Sequence, residues 1–194
     1  MNFFKKLFNI KDKEVEEIQD RKVDLSLDDL FVHNFLEKGG KFLYCVKKEE
    51  VIKNLKNVFS ENNWDKAYLL HPSLKKMLDK KQVMSLKDVQ VGCPVFTTCE
   101  HLIADNGDIL FSSNQLKSTK LNELPDDFIV FATTSQIVKD TGQGLTGIKR
   151  KNKDNLPTNI SSIRNYRLNN LDDSFLNYGN SNSKNLYLLL LEDL

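Results

Sequence analysis

The chain reads as an α/β protein with a mainly parallel, doubly wound sheet and an inserted hairpin, and three features of its sequence carry that reading. From residue 41 onward, short apolar runs with aromatic and β-branched residues alternate with stretches whose apolar positions recur at helical spacing. Residues 128–132 (FIVFA) and 185–191 (NLYLLLL) are apolar almost throughout, as strands covered on both faces are. Strand, helix and strand in succession imply parallel neighbours joined by right-handed crossovers. With 194 residues, 40% hydrophobic and 28% charged, the chain has the size and composition of one soluble globular domain with a substantial core.

Residues 1–25 stand apart from this scheme. Phe3, Phe4, Leu7, Phe8 and Ile10 fall on one helical face with Lys5, Lys6, Lys11 and Lys13 close by, and residues 11–24 are charged as a linker is. The segment reads as a terminal helix packed on its own domain or frayed at the terminus. The other reading open to it is contact of residues 1–13 with an anionic membrane surface or a partner groove. A single α/β domain is expected over residues 26–194.

Within that domain Ser26 is an N-cap, with Asp29 three residues on, opening a helix that places Leu27, Leu30, Phe31 and Phe35 on one face and ends at Gly39 and Gly40. Residues 41–46 (KFLYCV) form a strand, and residues 48–61 a helix with Val51, Ile52, Leu55, Val58 and Phe59 inward. Residues 67–70 are a second short strand, and residues 73–81 a basic helix burying Leu74, Met77 and Leu78. The apolar runs 102–104 and 109–111 flank Asn106 and Gly107, a pair suited to the positive φ angles of a type I′ hairpin turn. After the strand at 128–132, Ser135 caps a helix carrying Ile137, Val138, Thr141, Leu145 and Ile148. Residues 151–157 are a basic loop, residues 161–184 are irregular, and residues 185–191 are the last strand.

Charge and cysteine content narrow the function. The chain carries 28 basic and 27 acidic residues, a net charge of +1, which argues against a dedicated nucleic-acid face. No run approaches the roughly 18 apolar residues of a membrane span, and no secretory leader is read at the start. The three cysteines, Cys45, Cys93 and Cys99, have no CxxC spacing, so free thiols in a reducing cytoplasm are expected. Three thiolates cannot complete a four-cysteine iron–sulfur cluster, so any electron carriers are expected on partners.

Several motifs remain. Residues 142–147 (GQGLTG) fit GxGxxG, but dinucleotide binding needs those glycines directly after a strand, and here they fall in a helical pattern. Cys93, Cys99 and His101 lack the paired spacing of a structural zinc site, and no metal is expected. A Cys99–His101 nucleophilic pair would need an electropositive, accessible setting. The segment 99–115 (CEHLIADNGDILFSSNQ) is the richest: Glu100, Asp105 and Asp108 crowd the hairpin, and Ser112, Ser113, Asn114 and Gln115 follow it. Glu100 and Asp105 are the candidate catalytic carboxylates. Asp in and beside hairpin turns also serves turn hydrogen bonding, which is the competing reading of these residues.

The segment Ile103, Ala104, Asp105, Asn106, Gly107, Asp108, Ile109, Leu110, introduced by Val91 and Gly92, resembles the strand–turn–strand element of the LUD-domain family, most closely its lactate utilization protein C branch. Residues 128–132 followed by Ser135, Gln136, Ile137 and Val138 are similar to that family's next strand and helix start. Three departures stand out: the family's Glu-Thr is Asp105 and Asn106 here, its late glycine-rich segment is only residues 160–166, and a later glycine element is reduced to Tyr178, Gly179 and Asn180. The resemblance implies a fold like the sugar-phosphate isomerase and CoA-transferase domains. It also implies an accessory role in L-lactate oxidation to pyruvate with iron–sulfur partner subunits, without a redox cofactor of its own. The expected working surface is Asp105, Asn106 and Gly107, the cluster Ser112, Ser113 and Asn114, and Ser161 with Arg164, whose guanidinium fork suits a small anionic metabolite. Two other classes stay open: an isomerase or acyl-transfer enzyme using Glu100 or Asp105, and a scaffold that only binds proteins.

Overall fold

The computed structural model describes residues 25–84, 92–166 and 183–193. The amphipathic segment of residues 1–13 and most of its linker, together with Val91 and the Tyr178–Asn180 element, lie outside the described residues. In chain order the first elements are α1 (Leu27–Glu37), β1 (Lys41–Cys45), α2 (Lys48–Glu61), β2 (Ala67–Leu69), β3 (Val83–Met84) and β4 (Val95–Thr98). The hairpin strands β5 (His101–Ile103) and β6 (Asp108–Ser112) follow, with the one-turn helix α3 (Ser113–Leu116). Then come β7 (Asp127–Thr133), β8 (Ile137–Val138), α4 (Thr141–Lys151), β9 (Ile160–Ile163) and β10 (Asn185–Leu191).

Six strands form one sheet in the order β1-β10-β7-β4-β2-β3, and every described pairing in it is parallel. The two apolar strands are its centre: β10 lies on β7 with Leu188 opposite Val130 and Leu190 opposite Ala132. One face of the sheet packs Phe96, Ile129 and Leu189 against Val51, Leu55, Val58 and Phe59 of α2. The other face packs Phe128, Val130, Leu186 and Leu188 against Phe31 and Phe35 of α1 and against Leu102, Ile109 and Phe111. A doubly wound α/β fold is therefore present.

The hairpin stands in a second sheet of four strands, β8-β5-β6-β9, stacked on that second face. Its outer side is closed by α4, where Ile148 meets Ile103 and Leu110. The hairpin turn also differs from expectation. Ile103 pairs with Asp108, so four residues connect the strands, and Gly107 alone has a positive φ, 68°. A type I′ turn needs positive φ at both central residues, and Asn106 does not supply it.

Three local expectations are corrected. Residues 73–81 are two 3-10 turns, Pro72–Met77 and Lys80–Gln82, because Leu78 is extended (φ −122°, ψ 149°) and Gln82 reaches back to the Asp79 amide at 3.0 Å to start a new turn. Ser135 caps no helix: Thr134–Gln136 is a single 3-10 turn leading into β8, and α4 begins later under Asp140, which accepts from the Gln143 amide at 2.8 Å. Ser161 and Ser162 lie in a strand, since β9 finds its partner in β6, with Ser162 opposite Leu110.

Ser135 instead holds the segment just after β10. Its amide and hydroxyl donate to the Asp193 carboxylate at 2.8 and 2.7 Å, and Thr134 Oγ1 donates at 2.9 Å. Burial pushes Asp193 up, and the bonds from Ser135, Thr133 and Thr134 together outweigh it, bringing the carboxyl down to about 2 from 3.8. A depressed folded pKa stabilises the fold above the unfolded value and is lost as pH falls through the folded one. The stability difference between wild type and Asp193→Asn should therefore be constant above about pH 5 and shrink between pH 4 and 2, as read by urea denaturation across that range.

Candidate functional site

Two residues after β4 leaves the large sheet, the chain enters β5 of the small one, and Glu100 sits at that step. Its backbone amide donates to Leu110 O at 2.8 Å, which fixes the main chain to the hairpin. The side chain is buried at 3% exposure. Oε1 accepts from Ser112 Oγ at 2.6 Å and from Asn114 Nδ2 at 3.1 Å. Oε2 has no hydrogen-bond partner among the described residues; the Lys151 ammonium stands 3.7 Å away on the last turn of α4. Burial pushes Glu100 up, but the bonds from Ser112, Gln115 and Asn114 with the Lys151 charge outweigh it and hold the carboxyl below its ordinary value. Such a group is ionised at neutral pH, which suits an anchor better than a general base.

The neighbouring thiol and imidazole do not make a nucleophilic pair. Cys99 is buried, and that burial pushes its thiol far up, so it stays protonated. His101 is held below its usual value by burial, and its Nδ1 lies 3.3 Å from Gln136 O. Its ring lies under α4: a Cβ on Gly147 would come within 2.7 Å of Nε2. Gly144 also lies close to the sheet, its Cβ position 3.2 Å from the side-chain ends of Ile103 and Leu110. The GxGxxG pattern thus belongs inside a helix pressed against a sheet, where bare backbone is needed for close approach.

The turn at the other end of β6 is built against α1. A Cβ on Gly107 would meet the α1 backbone at Asn34 and Phe35 at 2.6 Å. Asn34 Nδ2 donates to Ala104 O at 2.8 Å, Tyr166 donates to Gly107 O at 2.6 Å, and Asn106 Oδ1 accepts from the Asp108 amide at 3.0 Å. Asp105 is exposed, with its amide donating to Lys139 O at 2.9 Å. Asp108, 4% exposed, carries the charge of this end: Lys38 Nζ lies 2.7 Å from one oxygen and Arg164 Nε 3.5 Å from the other.

Arg164 borders a cleft of about 230 Å³ between β9, the hairpin and the first turns of α4. Ser161 and Ser162 line it with Asp108 and Thr141, and Ser162 Oγ accepts from Arg164 Nε at 3.0 Å. The structure therefore separates the candidate residues outside the Asp105–Gly107 turn. Glu100, Ser112 and Asn114 form one cluster, while Ser161 and Arg164 share the cleft with Asp108, about 14 Å away along the four-residue rise of β6. Ser113 joins neither: its hydroxyl accepts from the Thr158 amide at 3.0 Å and ties down the loop before β9. Lys38 and Lys151 were not foreseen. Lys38 lies 70 residues from the carboxylate it compensates, so no local pattern reveals it, whereas the basic end of the helical pattern was a usable signal for Lys151.

No protein-family model matches the chain, and no curated protein matches it. Among solved structures it is similar to the crystal structure of a DUF162 family protein from Deinococcus radiodurans, with a TM-score of 0.60 and 13% identity over 87% of this chain and 99% of that one. At that identity the likeness establishes the fold.

Two substitutions test this architecture. Gly107→Ala should lower stability by about 1–3 kcal/mol in denaturant titration, because a methyl group has no room against α1 and the backbone is left-handed there. Ser112→Ala should raise the Glu100 pKa, followed by carboxyl NMR, and cost about 1.5–3 kcal/mol, the usual weight of a hydrogen bond to a charged group.

Proposed function

We propose that the chain is a LUD-type domain serving as an accessory subunit in lactate utilization, with the cleft beside Arg164 taking a small organic anion. The observation that carries this reading is the fold shared with a DUF162 protein along most of both chains, DUF162 being the LUD-domain family. It joins the resemblance already drawn from the hairpin and the strand at 128–132. In this reading the redox centres belong to iron–sulfur partner subunits, and this chain contributes a binding surface.

The cleft supports the anion. Arg164 Nε is held by Ser162 and Asp108, which orients the guanidinium, and its two terminal nitrogens have no partner among the described residues. A fork fixed on one side and open on the other is what carboxylate recognition requires. Purification of the native protein under gentle conditions, followed by mass spectrometry, tests the role. Iron–sulfur oxidoreductase subunits should be recovered in stoichiometric amount, and their addition should be needed for lactate oxidation. A protein recovered alone, without effect on lactate oxidation when removed from the extract, would sink the proposal.

A further inference from the structure

The cleft holds more than a fork for an anion. Its inner wall is Ile103 and Leu110, both buried, and its lips are Leu145 of α4 and Ile160 of β9. Those lips are 42% and 38% exposed, two of the few large apolar side chains left open to solvent among the described residues. They face one cavity from opposite elements, with Arg164 and the serine hydroxyls alongside. Thr141 and Leu145, one helical turn apart, keep α4 in contact with the cavity over that length. Bare backbone at Gly144 keeps α4 close to this wall, a Cβ there coming within 3.2 Å of the side-chain ends of Ile103 and Leu110.

We infer that this cleft binds a short aliphatic monocarboxylate, its carboxylate on the open nitrogens of Arg164 and its chain between Leu145, Ile160 and the Ile103–Leu110 wall. The inference rests on the reading that the cleft takes an organic anion through Arg164, and deepens it by naming the class. Two features select a monoanion with a tail. Among the described residues Lys38 and Arg164 both pair with the single carboxylate of Asp108, two cations against one anion at this end of the cleft. A phosphate monoester would bring a second negative charge beside buried Asp108, where like charges repel. At about 230 Å³ the cavity is below the usual range for drug-sized ligands, which sets the chain at a few carbons.

A homologous series decides it. Acetate, butanoate, hexanoate and octanoate would be titrated into the full-length protein by calorimetry at neutral pH, with amide shifts of Ser161 and Ser162 locating the site. Hexylamine serves as a probe with the same chain and no carboxylate. Affinity should rise about fourfold per methylene until the chain fills the cavity, then level off. Arg164→Ala should weaken hexanoate at least tenfold, and Leu145→Asn, at an exposed position, should flatten the dependence on chain length. Carboxylates that bind through Arg164 with affinity independent of chain length would overturn the aliphatic class and leave the anion reading standing. Equal binding of hexylamine, indifference to Arg164→Ala, or no binding by any member of the series would overturn both.

Discussion

Everything distinctive about this molecule depends on two strands leaving the large sheet side by side. β4 runs into β5 through Cys99 and Glu100, and β7 runs into β8 through the 3-10 turn Thr134–Gln136. The pairs match on both sides of the step, since β4 is parallel to β7 and β5 is parallel to β8. One side chain holds the two crossings together. Gln136 Oε1 accepts from the Thr133 amide at 2.9 Å, and Nε2 donates to Cys99 O at 2.7 Å and Glu100 O at 3.2 Å. Backbone groups that have lost their sheet partners are thereby satisfied, as buried polar groups must be. Without this bridge the Cys99 and Glu100 carbonyls at the step would lose their Gln136 donor.

Once the small sheet is fixed, its two faces do different work. The inner face, through Leu102, Ile109 and Phe111, shares a core with Phe128, Val130 and Leu188 and adds to the apolar area removed from water. Among the described residues the outer face offers only Ile103 and Leu110, with partly buried Val138 beside them, to Ile148 of α4. A helix that covers a thin apolar face must come close to gain dispersion contact, and the glycines at 144 and 147 permit it. The helix meets the sheet closely in its middle and leaves room at its first turns, and that room is the cleft.

The sequence revealed what is locally encoded. The helix over Lys48–Glu61 and the strand over Asn185–Leu191 stand at the expected bounds because periodicity and burial agree within each segment. β4 and β9 escaped because VFTT and ISSI carry half their positions as hydroxyl residues, and their strand character comes from neighbours β7 and β6. The turns at 72–82 and 134–136 escaped because side-chain bonds from Gln82 and Gln136 override helical spacing. At the site, Glu100, Ser112 and Asn114 were each singled out from one segment of the sequence, but their hydrogen bonding to one another was not foreseen. Nor was the grouping of Asp108 with Lys38 and Arg164, because it needs three elements to meet.

The contrast between the two buried carboxylates explains why only one end of the hairpin looks outward. Glu100 is held on one oxygen by neutral donors from the α3 turn, and its remaining oxygen faces an ammonium at 3.7 Å whose own side chain is 70% exposed. The charge is balanced locally, and the donors of Ser112 and Asn114 are spent on it. Asp108 is balanced by Lys38 at 2.7 Å, so its second oxygen is free to position rather than neutralise. That oxygen takes Arg164 by Nε, the nitrogen that leaves the guanidinium's outer pair unobstructed. A buried acid already compensated by Lys38, just past α1, thus has an oxygen to spare for a surface arginine, a kind of contact normally worth little, beside a cleft lined by polar and apolar side chains alike. The hairpin's hidden end is spent on stability, and its open end carries Arg164 beside the cleft.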